Sequence, residues 1–494
     1  MASTVEVATP PHLSTSPLDL DSGTVRDIAR QVTDLVAEHL ATLRDQPAQH
    51  PMDRRTTRQV VALPAEPPEQ GTSFDTLLDV LRERVIPYHA REMHPAFLGY
   101  VSSSPTFPAI AGDWLATGIN FFAGVWTVAP GPNELELTVL EWFRQWLGMP
   151  EGASGLLTSG GSNATFTAIV AARHAAIGDR GQDLPRLVAY CSDQAHSSVV
   201  RGAWMAGIPR ANVRSVGTDQ QFRMRPDALR AAIARDRAAG LLPFLVVGNA
   251  GATNTGAVDP LRELAAIAAT EQLWFHIDAA YAGFGILTER GRAMLDGIAT
   301  ADSVTLDPHK WLYVPFECGC LMVKDPGRLH DAFHVFAEYL TDVEARDQDV
   351  NFADRGEQLT RYARAFKVWT SMNYFGVAPI RAAINECMRL ADFTEALVRE
   401  APELEVLSPA QFGIVCFRVH PPGVDDPATL DALNERVNAA VNGTRKVLIS
   451  STRLHGAFSL RVCILNFRTV EADLRLVIDL VRQFAREPGA SPAA

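Results

Sequence analysis

The sequence predicts an α/β fold: a mostly parallel sheet covered by helices on both faces, followed by a small α+β domain. Three observations predict it. Between Leu156 and Val323 short apolar runs alternate with stretches of helical periodicity, the rhythm of strand–helix crossovers. Small and polar residues follow these runs, as in Ser159-Gly-Gly-Ser162, Asp278 and Asp307, and in such sheets function collects at the carboxyl ends of the strands. Beyond residue 370 the rhythm changes to a long helix, scattered strands and two further helices.

Residues 1–20 are rich in Pro, Ser and Thr and are expected to be a disordered tail. Residues 21–90 form an N-terminal helical segment. Val25, Ile28, Ala29, Val32, Leu35, Val36 and Leu40 recur at helical spacing, and the pattern stops near Gln46-Pro47. A Pro- and Glu-rich linker spans 62–72, and a second helix, 74–85, ends at Ile86-Pro87. These helices carry apolar stripes without a core of their own, so they need another surface, in this chain or in a partner subunit.

His94-Pro-Ala-Phe-Leu-Gly-Tyr100 opens the large domain, 91–370. Its expected elements are helix 137–147, strand 156–158, helix 164–176, strand 187–190, helix 197–206, strand 244–247, helix 261–270 and strands 273–277, 304–306 and 319–323. Residues 338–360 are polar, acidic and weakly periodic, as in a long mobile loop over an active site. A helix over 361–374 breaks at Gly376. The small domain, 371–494, holds helix 378–400, strand 412–419, helix 428–441, strands near 447–450 and 458–465, and helix 470–485.

Composition narrows the function. The 494 residues exceed what one compact core holds. Hydrophobic content of 47% and charged content of 21% are those of a soluble globular protein. A net charge of −12 disfavours nucleic acid and anionic membrane as partners. No run approaches the ~18 apolar residues of a membrane helix. The first residues lack the basic start and apolar centre of a signal peptide, so a cytoplasmic location is expected. The six cysteines are scattered, which fits buried reduced thiols rather than disulfides or a metal site.

Four stretches carry chemistry. Ser303-Val-Thr-Leu-Asp-Pro-His-Lys-Trp311 sets Lys310 beside His309, just after an apolar strand. A lysine held there suits a Schiff base with a carbonyl cofactor. Ser159-Gly-Gly-Ser162 lies between a strand and a helix. Its glycines and the helix N–H groups suit a phosphate, and a tight turn capped by Ser162 or Asn163 is the alternative. Asp278 ends a buried strand and needs a partner. A pyridinium nitrogen would serve, with Ala279 and Ala280 leaving room for a flat ring; an N-cap or salt bridge is the alternative. His196, in Asp193-Gln-Ala-His196, follows another strand and suits ring stacking or proton handling. Phosphate cradle, histidine, strand-end aspartate and lysine, in that order, describe a site for pyridoxal phosphate.

HPAF…NELE, TSGGSNAT, SDQAHSS, HIDAAYAG and DPHKW, collinear over about residues 75–485, together resemble the group II pyridoxal-phosphate decarboxylases, the aromatic amino acid decarboxylase family. The resemblance implies the aminotransferase-like fold type I and a homodimer with active sites at the interface. It also implies that Lys310 binds the cofactor covalently, Asp278 holds the ring nitrogen, and His196 and Ala280 cover the ring faces. Gly161, Ser162, Thr253 and His309 would contact the phosphate or its surroundings, Thr253 from the substrate-carboxylate side. Tyr100, Val101, Phe122 and Trp126 match the region that shapes the substrate pocket, with Phe122 donated across the dimer. The implied activity is decarboxylation of phenylalanine, tyrosine, DOPA or tryptophan to the amine.

One position departs from the family. Counting back from Ala365, the loop tyrosine that donates a proton to Cα falls on Phe352, and a phenyl ring cannot donate one. Plant relatives with phenylalanine there resemble aldehyde synthases, in which O2 intercepts the carbanion to give aldehyde, CO2, ammonia and hydrogen peroxide. Tyr339 and Tyr362 are the nearest tyrosines, and His196 or water are other donors. Thr360 matches a position tied to indole or phenol preference, and its hydroxyl leans towards phenols. An aminotransferase, with Arg453 or Arg461 for the substrate carboxylate, and a non-catalytic scaffold are the remaining readings.

Overall fold

A computed structural model describes residues 16–335 and 348–487, and the chain divides into two compact units, Met1–Ala90 and Arg91–Ala494. Residues 1–15 of the expected tail and 338–347 of the expected loop, with Tyr339, lie outside the described residues.

The first unit holds helices Ser22–Ala41, Arg54–Val61 and Phe74–Arg84, each opened by a side-chain cap from Asp21, Asp53 and Ser73. The middle helix has no buried residue and is rich in Arg and Thr, so apolar periodicity does not reveal it; its signal is the Asp53 cap. Leu43, Ala48 and Leu78 are buried, whereas Leu77, Leu81 and Val85 are exposed.

The second unit is built on a seven-stranded sheet in the order β1-β7-β6-β5-β4-β2-β3. The strands are β1 Ser154–Thr158, β2 Leu187–Ser192, β3 Val213–Val216, β4 Leu242–Asn249, β5 Trp274–Asp278, β6 Ser303–Leu306 and β7 Gly319–Val323. β3, β2, β4, β5 and β6 pair in parallel. β7 is antiparallel to both β6 and β1, so β1 runs with the parallel set. Strands β2, β6 and β7 are buried throughout, as their near-continuous apolar sequences require. β3 escapes the sequence pattern because it is a four-residue edge strand interrupted by Arg214 and Ser215.

A second, antiparallel sheet has the order β10-β11-β9-β8, with β8 Leu404–Gln411, β9 Ile414–Val419, β10 Ser450–Leu454 and β11 Ala457–Cys463. β8 carries Pro409, which argues against a strand, but it lies at the sheet edge and its register shifts around Ser408, where proline is tolerated. All six cysteines are free and buried.

Two helix starts lie four or more residues from expectation. The helix expected from Leu137 runs Pro130–Leu147; Pro130-Gly-Pro132 reads as a breaker, yet proline is accepted in a first helical turn. The helix expected from Arg361 begins at Ala365, because Arg361 is drawn into the core. Its guanidinium meets Glu136 at 2.7 and 3.3 Å and donates to Leu157 O at 2.6 Å and Ala123 O at 3.1 Å. Glu136 Oε1 also accepts the Leu157 N–H at 2.7 Å. Both side chains are 1% exposed. This pair ties helix Pro130–Leu147 and β1 to the segment before residue 365.

Glu136→Ala leaves a buried guanidinium without its counter-charge, so it should cost about 3–5 kcal/mol in urea unfolding. Replacing both partners by apolar residues of similar volume should cost much less. Equal losses in the two variants would show that packing, not charge, sets the cost.

Candidate active site

Parallel pairing brings five strand ends to one edge of the large sheet. Thr158 closes β1 and leads into Ser159-Gly160; Ser192 closes β2, with His196 just beyond; Asn249 closes β4; Asp278 closes β5; Asp307 follows β6. A cavity of about 520 Å³ opens there, and Gly161, Ser162, His196, Thr253, Asp278, Ala280, His309 and Lys310 all line it. Tyr100 and Val101 line it as well.

At one end helix Gly161–Ile177 points its amino terminus at the cavity. Gly160 is its N-cap, no side chain caps it among the described residues, and its first turn holds no acidic residue. The capping alternative is therefore not realised: Asn163 donates instead to Glu357 Oε1 at 2.6 Å. A Cβ on Gly161 would lie 2.9 Å from Ala280 Cβ and 3.0 Å from Asp307 Oδ2, and one on Gly319 would lie 2.4 Å from Gly160 Cα. Two glycines far apart in sequence thus let the turn fold against β7 and keep its N–H groups open. An uncapped, acid-free helix start of this kind suits a phosphate.

Lys310 lies in the short helix Pro308–Trp311. Its Nζ meets Asp307 Oδ2 at 2.9 Å, while Asp307 Oδ1 is buried without a hydrogen-bond partner among the described residues. Asp307 is the residue missed among the candidates, although its sequence signal, a carboxylate ending an apolar strand, equals that of Asp278. His309 Nε2 is 3.6 Å from the same Asp307 oxygen, and its Nδ1 accepts the Cys318 N–H at 3.2 Å. Burial lowers the His309 pKa, against the opposing charge of Asp307.

Asp278 Oδ1 accepts the Ala280 N–H at 3.1 Å. Burial pushes its carboxyl above the usual range, and the Ala280 N–H, Lys310 and His196 pull it back. Two buried carboxylates thus share the nearby charge of Lys310. A protonated ring nitrogen at Asp278 fits that imbalance, so the residues present fit pyridoxal phosphate at both ends. His196 caps helix Ser197–Met205; its Nδ1 accepts the Ser198 N–H at 3.2 Å. A neutral His196 ring therefore carries its proton on Nε2.

Other expected pocket residues lie elsewhere. Phe122, Trp126, Phe352 and Thr360 do not line the cavity. Segments 122–126 and 351–361 are laced together: Ala353 N donates to Gly124 O at 2.9 Å, Trp126 N to Asn351 Oδ1 at 2.9 Å, and Ala123 N to Arg361 O at 3.2 Å. The second half of the expected loop is thus pinned. Phe352 is fully buried, its ring 4.8 Å from the Arg361 guanidinium and 5.6 Å from that of Arg355. It packs against the Arg361 of the Arg361–Glu136 pair and is not among the described residues that line this chain's cavity. Tyr362 OH is engaged by Thr117 Oγ1 at 2.7 Å and Asp113 Oδ1 at 2.9 Å. Neither spare arginine faces the cavity: Arg453 pairs with Asp431 and Glu435, and Arg461 donates to Tyr100 O, Thr253 O and Asn254 O at 2.7, 2.6 and 3.1 Å. The arginine clamp of an aminotransferase is therefore absent from the described lining.

Beneath Asp278, on the same strand, His276 lies between Ser303 Oγ at 2.8 Å and Thr305 Oγ1 at 3.2 Å. Burial lowers its pKa to about 3. In the unfolded chain it protonates near pH 6.5, so below that pH the unfolded state binds the extra proton and stability falls with pH. Between about pH 7 and pH 5 this contributes about 2 kcal/mol of lost stability. His276→Gln should flatten the acid limb of urea-unfolding stability by that amount; an unchanged slope would mean that His276 already protonates in the folded state.

Comparison with known proteins agrees with this geometry. Residues 57–420 match the conserved domain of the pyridoxal-dependent decarboxylases. The chain is 36% identical to the aromatic-L-amino-acid decarboxylase of Bacillus atrophaeus over 96% of its own length and 98% of the relative's. It is 32% identical to the phenylacetaldehyde synthase of Arabidopsis thaliana over 90% and 92% of the two chains. Among solved structures, Oryza sativa TDC with PLP and tryptamine superposes with a TM-score of 0.90 at 29% identity, covering 96% of this chain and 99% of that one. A carboxyl-edge cavity with lysine, strand-end aspartate and open phosphate cradle, on a chain matched over nearly its whole length, identifies this protein as a member of the pyridoxal-dependent decarboxylase family.

Proposed function

We propose that this enzyme removes CO2 from an aromatic L-amino acid and releases the amine. The observation that carries this reading is the company Lys310 keeps: two carboxylates, two histidines and no arginine among the described lining residues. An acidic substrate side chain would want a further cation there, whereas Tyr100 and Val101 suit an apolar or phenolic one. Likeness to an aromatic-L-amino-acid decarboxylase supports the same substrate class.

When bound, pyridoxal phosphate supplies a protonated ring that takes up the electron pair left by CO2. Lys310 holds the cofactor, and Asp307 stabilises the Lys310 ammonium whenever that amine is free. Asp278 would keep a proton on the ring nitrogen. Gly161, Ser162 and His309 would hold the phosphate, with Thr253 on the side of the substrate carboxylate. His196 and Ala280 would cover the ring faces.

The product depends on the proton delivered to Cα. Phe352 is buried with its ring against Arg361, which supports a reading in which another residue is the donor. Tyr362 is engaged by Asp113 and Thr117, and Tyr313 is buried against Cys387. Of the tyrosines between Lys310 and Ala365, Tyr339 is left as the donor we assign. Likeness to a phenylacetaldehyde synthase keeps aldehyde formation as the competing outcome.

We further infer a homodimer. Phe107, Trp114, Leu115, Trp369 and Tyr374 are exposed on helices Phe107–Ile119 and Ala365–Phe375, and a second copy would cover them and bring Phe122 to its neighbour's cavity. Light scattering should give twice 53.8 kDa; a monomer at catalytic concentrations would refute this.

Incubation with phenylalanine, tyrosine, DOPA and tryptophan in air should yield CO2 and amine in equal amounts without peroxide. Aldehyde with stoichiometric peroxide would overturn the amine reading. Tyr339→Phe should move product from amine towards aldehyde. Phe352→Tyr should leave the product ratio unchanged and cost about 1–3 kcal/mol of stability by burying an unpaired hydroxyl. Lys310→Ala should abolish both turnover and the near-visible band of the bound cofactor.

A further inference from the structure

We propose that His330, His334 and Asp354 bind one divalent transition-metal ion, Zn2+ foremost, at a site outside the Lys310 cavity. His330 lies in the last turn of helix Gly327–Phe333, and His334 is its C-cap. That spacing puts both imidazoles on one face. Their rings are 4.5 Å apart between centroids and tilted by 14°. Asp354 comes from a different element, the 3-10 turn Phe352–Arg355. One ligand atom from each residue lies within 4.8 Å of the other two.

Ligand atoms about 2.0–2.2 Å from a tetrahedral zinc stand about 3.3–3.6 Å from one another. Small side-chain rotations close the difference, and they are free to occur because both histidines are exposed and Asp354 is half-buried. Among the described residues none of the three side chains is committed to an ion pair or hydrogen bond. The cation next to Asp354 does not compete: Arg355 turns its guanidinium to Gly155 O at 3.1 Å and Ser154 Oγ at 3.4 Å.

Two imidazoles and one carboxylate form a borderline donor set. It suits Zn2+, Ni2+, Co2+ or Cu2+ and not Mg2+ or Ca2+, which prefer oxygen cages. Three protein ligands leave one position for water. None of the three residues lines the Lys310 cavity. In the chain the histidines precede residues 336–347 and Asp354 follows them, so the ion would tie together the two elements that flank this segment.

The test titrates the full-length, tag-free holoenzyme with Zn2+ after chelator treatment, beside a His330→Ala/His334→Ala variant. The wild type should take up one more equivalent of Zn2+ per chain than the variant, and Mg2+ should show no difference. Independently, Zn2+ should protect His330 and His334 of the wild type from diethylpyrocarbonate, read by peptide mass spectrometry, so that a misfolded variant would not leave the question open. Equal uptake by a folded variant, or no protection of either histidine, overturns the proposal.

Discussion

Parallel pairing of β4, β5 and β6 is the constraint on which the site depends. Asn249 pairs with Asp278, and Asp278 with Thr305, so their strand ends cannot slip relative to one another without turning side chains to the opposite face. That register sets Asp278 near Asp307 and Lys310, and β7 brings Gly319 against Gly160. The site is thus a by-product of backbone hydrogen bonding, with side chains chosen to exploit where the strands stop.

The charges at that edge are unbalanced by design of the fold rather than by any single residue. Asp278 and Asp307 are both buried and both face Lys310. His276, just beneath, is held neutral and offers no compensation. An aromatic cation with a phosphate tail fits such a cavity at both ends: the strand-end carboxylate would meet the positive ring, and the uncapped helix would meet the anion. Membership of the pyridoxal-dependent decarboxylases gives that ligand its identity.

Much of this is legible in the sequence for local reasons. Lys310, Asp278, His196 and the Gly160-Gly161 pair each follow an apolar strand, and a strand end is visible in a short window. Edge strands β3 and β8 are not, because Arg214 and Pro409 interrupt their apolar pattern. The second half of the loop is misjudged for another reason. Residues 351–361 are polar in composition, yet they are held by Glu136, Gly124 and Trp126, more than two hundred positions earlier. No periodicity encodes such a contact. Phe352, which reads in the sequence as a loop residue, packs its ring against one member of that buried ion pair.

Arg461 has a consequence for how substrate preference can be changed. One buried guanidinium spans the carbonyls of Tyr100, Thr253 and Asn254 and also donates to Ser450 Oγ at 3.1 Å. The rim of the cavity is therefore assembled from pieces that begin some 350 positions apart in the chain. Grafting one rim segment from a relative would carry only a third of the rim while breaking its shared anchor. Modularity in this enzyme stops at the clamp, and segments that meet there are exchangeable only as a set.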